Sequence, residues 1–198
     1  MPSKRLVATL GLGLGLLAAL PLPAWTQSQQ PPARTAACAA CHGEGGRSTT
    51  AGIPTLAGQP AVFVETQLIM IREGLRPVPP MQGMLDGVSD TEVTALARHY
   101  SQQKPDAPKD APQAALMERG KAAAARLHCA SCHLPDYSGR EQMPRLAGQR
   151  EDYLKTVMKQ FRDNQTQGRD TIMASTLYGV SDEDLAALAH YMAHLPGK

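Results

Sequence analysis

Cys38-Ala39-Ala40-Cys41-His42 and Cys129-Ala130-Ser131-Cys132-His133 decide how this chain of 198 residues is read. Both stretches follow the pattern Cys-x-x-Cys-His, stand 91 residues apart and use all four cysteines of the chain. The spacing is that of a c-type haem attachment site. Two thiols so placed can each add to one vinyl group on the same porphyrin edge. The adjacent histidine then points its imidazole at the iron. Two covalently bound haem c groups are therefore expected, one on Cys38 and Cys41 and one on Cys129 and Cys132. Two small disulfides or two zinc sites are the competing readings. No strand-like alternation flanks the motifs, as a thioredoxin-like site would require, and no further Cys or His stands at zinc-ligand spacing in both halves.

The first residues read as a Sec-type export signal. Lys4 and Arg5 precede an apolar run from Leu6 to about Leu22, and Ala24-Trp25-Thr26 offers small residues for cleavage. An uncleaved membrane anchor is the alternative, but Pro21 and Pro23 interrupt the end of a run already short for a span. A periplasmic location follows as an expectation. Without Lys4 and Arg5 the 20 basic residues fall to 18, equal to the 18 acidic ones. There is no basic stripe, so nucleic acid is excluded as a partner. Near-neutral charge also argues against finding a partner by strong electrostatic steering. Aromatic residues make up only 4% of the chain, so each half would struggle to build a core without a large apolar cofactor.

The two halves repeat. Ile53-Pro54-Thr55-Leu56-Ala57-Gly58-Gln59 answers to Met143-Pro144-Arg145-Leu146-Ala147-Gly148-Gln149, Gly87-Val88-Ser89-Asp90 to Gly179-Val180-Ser181-Asp182, and His99-Tyr100 to His190-Tyr191. The offset stays between 90 and 92 residues, which marks one duplicated domain. Each copy reads as helical. Phe63, Val64, Leu68 and Ile71 recur with a 3.6-residue period, as do Tyr153, Leu154, Val157, Met158 and Phe161. The last helix of each copy opens on a capping-box pattern, Ser89 with Glu92 and Ser181 with Asp184. Val93, Leu96, Ala97 and Tyr100 form one core stripe; Leu185, Leu188, Ala189 and Met192 form the other. Pro105, Pro108 and Pro112 punctuate a polar linker from Ser101 to about Gln113. The division expected is a signal over 1–26, a first haem domain over 27–107 and a second over 108–198.

His42 and His133 are the expected proximal iron ligands. The second axial ligand is read from the repeat. Met81 and Met173 each stand eight residues before a capping serine, whereas Met84 falls opposite Thr176 and Met70 opposite Gln160. Met81 and Met173 are therefore the expected thioether ligands, with Met84 the rival in the first half. A metal-bound histidine needs an acceptor for its other ring N–H. The carbonyls of Pro54 and Pro144, 12 and 11 residues beyond each haem histidine, are the candidates. His99 and His190 read as helix-end residues facing the dipole or solvent, and His128 and His194 as surface residues.

On these motifs, the paired Pro-x-Leu-Ala-Gly-Gln segments and the Met-to-Ser-Asp passages, the chain resembles the dihaem cytochromes c of the cytochrome c4 type over about residues 33–196. The resemblance implies an all-α fold of two tandem class I cytochrome c domains packed about a pseudo-two-fold, with haem propionates facing each other near the interface. It implies His/Met ligation at both irons and electron transfer between respiratory-chain partners. These would be a membrane oxidase or quinol-oxidising complex, or a periplasmic dehydrogenase, with possible peripheral membrane contact. The first domain departs from the pattern, because its usual first helix is truncated. The second keeps that helix from about Ala114 to Cys129, with Gly120 in place but Ala124 where an aromatic is usual. A cytochrome subunit of a sulfide or alcohol dehydrogenase is the alternative. A catalytic dihaem peroxidase or thiosulfate dehydrogenase is a third reading, which the duplicated Met81 and Met173 argue against. An electron-transfer protein with no catalytic residue is the expectation.

Overall fold

Helices carry the fold, and those that open at Ser89, Asp170 and Ser181 begin where the side chain accepts a backbone N–H. In the computed structural model, which describes residues 32–108, 110–168 and 170–197, they run in chain order as α1 (Thr35–His42), α2 (Ala61–Arg72), α3 (Asp90–Ser101), α4 (Ala114–Arg126), α5 (Ala130–His133), α6 (Glu151–Arg162), α7 (Thr171–Leu177) and α8 (Asp182–Ala193). Single 3-10 turns cover Glu44–Gly46 and Pro79–Met81. Among the described residues there is no strand, only an isolated bridge between Arg140 and Met143. The fold is all-α. The expected signal, residues 1–26, lies outside the described residues.

The duplicated pairs are α2 with α6 and α3 with α8. Ser89 Oγ accepts from Glu92 N at 3.2 Å and Ser181 Oγ from Asp184 N at 3.1 Å, so both last helices are capped. The return leg of the capping box is not made. Glu92 pairs with Arg34 at 3.1 Å, and Asp184 with Arg119 and Arg126, each at 2.7 Å. A charge-assisted bond to arginine outcompetes a bond to the cap's own N–H. The inner stripes are buried as the periodicity indicates: Val93, Leu96, Ala97 and Tyr100 on α3, and Leu185, Leu188, Ala189 and Met192 on α8.

The halves differ at their N-terminal ends. In the second, α4 crosses α8 at Gly120, where a Cβ would come within 2.2 Å of the Ala187 carbonyl oxygen. Ala123 and Ala124 are fully buried beside that crossing. Small residues let the two backbones approach closely. The first half has no equivalent helix among its described residues; Arg34 instead reaches Glu92 and the Met84 and Asp86 carbonyls. In each half an arginine ends the second long helix and ties down the loop before the last one. Arg72 donates to the Val88 carbonyl and to Asp90, both at 2.8 Å, and Arg162 donates to the Val180 carbonyl and Asp182. The described residues belong to one compact unit, and the linker helps close it, with Pro105 lying against Gly58 and Gly197.

Candidate metal centres

Each centre starts from a helical turn that carries its cysteines and ends on its histidine. Cys38, Cys41 and His42 lie on α1, whereas Cys129 caps α5 and Cys132 and His133 end it. No disulfide joins any of the four cysteines. Cys38 and Cys129 are half-buried and Cys41 and Cys132 exposed. After each histidine the chain turns at positive φ, at Gly43 (φ 74°, ψ 166°) and at Leu134 (φ 70°, ψ 159°). That turn aims the following loop back across the imidazole.

His42 is 8% and His133 3% exposed. Each ring's Nδ1 lies 2.9 Å from a proline carbonyl oxygen, His42 from Pro54 and His133 from Pro144. Burial pushes both imidazoles below their usual pKa, against the raising effect of the carbonyl bond. Each ring is therefore neutral, with its proton on Nδ1 and a lone pair on Nε2. His133 Nε2 is buried and has no hydrogen-bond partner among the described residues. A buried acceptor without a donor costs free energy unless something else takes the lone pair. A transition metal does so, and the carbonyl on the far nitrogen is the usual orienting partner of a ligating imidazole. The residues present fit a haem iron.

Met81 closes the 3-10 turn and packs, half-buried, against Leu85, Val88 and Val93. Met84 is 44% exposed. Met173 lies on α7 and packs, half-buried, on the core that includes Leu154, Leu177 and Leu188.

Two histidines differ from their sequence reading. His190 is not a helix-end surface residue: it is 3% exposed, with Nδ1 2.9 Å from Glu151 Oε2 and Nε2 accepting from Gln113 N at 2.9 Å. Gln113 is the residue that opens α4, and the first half has no such helix, so His99 stays half-buried against Tyr100. His194 is likewise not free on the surface; its Nδ1 is 2.8 Å from the His190 carbonyl oxygen and the rings stack at 4.0 Å. His128 is exposed, as read. Arg72 and Arg162 carried no assignment from sequence, although their shared 90-residue offset marks them as part of the repeat.

The two proximal loops meet at a seam. Gln59 bonds the main chain of Arg145 and Gln149 bonds that of Thr55, in four buried contacts of 2.8–3.0 Å.

Comparison with known proteins agrees with this geometry. Residues 117–196 match the cytochrome c family, and residues 33–99 match the family described as cytochrome c oxidase, cbb3-type, subunit III. Cytochrome c4 of Azotobacter vinelandii is 33% identical over 180 residues, covering 82% of this chain and 86% of that protein. The thiosulfate dehydrogenase electron acceptor of Thiomonas intermedia is 33% identical over 208 residues, covering 99% of this chain and 93% of that protein. The crystal structure of reduced cytochrome c4 from Pseudomonas stutzeri superposes with a TM-score of 0.75 at 30% identity, covering 82% of this chain and 95% of that one. The chain carries two covalently bound haem c groups, on Cys38 and Cys41 and on Cys129 and Cys132. A duplicated helical domain, a haem motif in each copy and relatives matched over most of their length together make this chain a member of the cytochrome c4 family, the dihaem electron-transfer cytochromes.

Proposed function

We propose that the protein is a periplasmic electron carrier, not an enzyme, in which His42 and Met81 hold one iron and His133 and Met173 the other. The two haem domains are assigned to 27–107 and 108–198. Its partners are redox proteins: a membrane oxidase or quinol-oxidising complex, or a periplasmic dehydrogenase. Among the described residues no helix is long and apolar enough to cross a membrane, and contact with a membrane would be peripheral.

The observation that carries this reading is the buried imidazole tied through Nδ1 to a proline carbonyl, found once in each half, with His133 Nε2 buried and without a hydrogen-bond partner among the described residues. The haem supplies one-electron exchange when bound, and a thioether as second ligand raises its potential. The chain's own residues keep each imidazole neutral and aimed, and offer a half-buried thioether in each half. Nothing in that arrangement asks a ligand to leave, which suits repeated electron exchange and leaves no position for a substrate. A second reading is favoured by the relative from Thiomonas intermedia, a thiosulfate dehydrogenase electron acceptor. On that reading this chain takes electrons from a dehydrogenase of sulfur oxyanions.

Optical spectra of the purified protein, oxidised and reduced, with and without carbon monoxide, test the ligand set. Two low-spin haems that do not bind carbon monoxide are expected. Met81→Ala and Met173→Ala should each open one haem to carbon monoxide. A high-spin haem in the unaltered protein would sink the carrier reading in favour of catalysis. Reduction by a thiosulfate dehydrogenase, against reduction by a quinol-oxidising complex, separates the two partner classes.

A further inference from the structure

We propose that Gln59 and Gln149 are crossed positioning residues, each setting the hydrogen bond made by the haem histidine of the other half. The proposal rests on His42 and His133 being the proximal ligands.

The argument begins with one peptide unit. The carbonyl of Pro54, which accepts from His42 Nδ1, and the N–H of Thr55 belong to the same planar amide. That N–H donates to Gln149 Oε1 at 2.8 Å, and Gln149 Nε2 donates to the Thr55 carbonyl at 2.9 Å. The other half mirrors this. The carbonyl of Pro144 accepts from His133, the N–H of Arg145 donates to Gln59 Oε1 at 3.0 Å, and Gln59 Nε2 donates to the Arg145 carbonyl at 3.0 Å. Both glutamines are buried, at 4% and 5% exposure. A planar amide held at its N–H has its C=O direction fixed as well. A hydrogen bond at the N–H also polarises the amide and makes its oxygen a better acceptor.

The acceptor strength of the proline carbonyl sets how much negative charge the imidazole carries. A more basic imidazole stabilises ferric iron, and such outer bonds are one of the protein's levers on potential. Gln149 therefore acts on the haem attached at Cys38 and Cys41, although it belongs to the other half. Gln59 acts on the haem attached at Cys129 and Cys132.

The test uses the full-length holoprotein. Gln149→Leu keeps the volume and removes both hydrogen bonds to Thr55, together with the one Oε1 accepts from Arg150 N; Gln59→Leu removes the matching pair to Arg145. The two potentials are read by spectroelectrochemical titration, and the step that falls in Met81→His is assigned to the first haem. Gln149→Leu should raise the first haem's potential and leave the second unmoved, with a reduced-to-oxidised ratio changed roughly tenfold, or about 59 mV for one electron. Gln59→Leu should do the reverse. A shift at the haem of the glutamine's own half, equal shifts at both, or no shift would overturn the proposal. Should either variant lose haem, amide exchange in the unaltered protein decides: Thr55 and Arg145 must exchange slowly, and exchange at exposed-loop rates overturns the clamp. The ligand reading fails separately, by carbon monoxide binding or a high-spin haem before any glutamine is changed.

Discussion

Leu134 holds the backbone immediately after His133 at φ 70° and ψ 159°, a region that is nearly glycine-only. Its counterpart Gly43 adopts the same conformation without a Cβ to strain. Leu134→Gly should stabilise the second half by about 1–3 kcal/mol, measured by chemical denaturation followed at that haem. An unchanged or lower midpoint would mean that the leucine side chain contributes more than the strain costs. At this scale the attachment residues were legible in the sequence because covalent chemistry imposes their spacing. Met81 stands apart from Met84 as a candidate ligand only through the repeat, by register. Gln59 and Gln149 stood in plain view in the motif but carried no sign of their partners. A side-chain amide bonding the main chain of another half has no local signature, because the partner lies 86 or 94 residues away. His190 was misread for the same reason: its partners come from α6 and from the start of α4.

Helix α8 is held at its N-terminal turn by charge. Lys159 and Arg162 bond Asp182 and hold its carboxyl down at about 2, from a usual 3.8. Such a group contributes stability above the usual carboxylate value and loses it as pH falls through the folded value. Acid unfolding of the second half should therefore steepen between pH about 4 and 2. Asp182→Asn should flatten that window and lower stability at neutral pH by the same amount, a small one because the ion pairs are exposed; an identical acid profile would remove these pairs from the account. The crossing of α4 over α8 makes a harsher demand. Gly120→Ala would drive a methyl to 2.2 Å from the Ala187 oxygen and 2.5 Å from Tyr191 Cβ. It should cost about 3 kcal/mol or split the helices apart, visible as a lowered denaturation midpoint for the second half alone. The long helices and their caps were legible from period and serine placement, since both are local. The half-formed capping boxes were not, because Arg34, Arg119 and Arg126 reach those acids from outside the helix.

Across the whole molecule the halves are unequal in how they are closed. The second has α4 packed on α8 and a continuous buried core from Ala123 to Met192. The first closes its end with the Arg34 ion pair and a smaller cluster of Leu85, Val88 and Val93. Opening should therefore be graded: amide hydrogens of α3 should exchange before those of α8, and Arg34→Ala should widen the gap. Equal protection in both helices would show that the seam alone governs opening. The seam itself carries a further meaning. Each half offers one glutamine and one peptide, and each takes the other's, so that residue i meets j and j meets i. That reciprocity is the mark of an isologous contact between two copies of one subunit. The two halves of the chain thus meet as the protomers of a homodimer do, through one reciprocal contact. Either half, made alone, presents both partners of the contact on its own surface, and pairing with itself is the arrangement that would satisfy them.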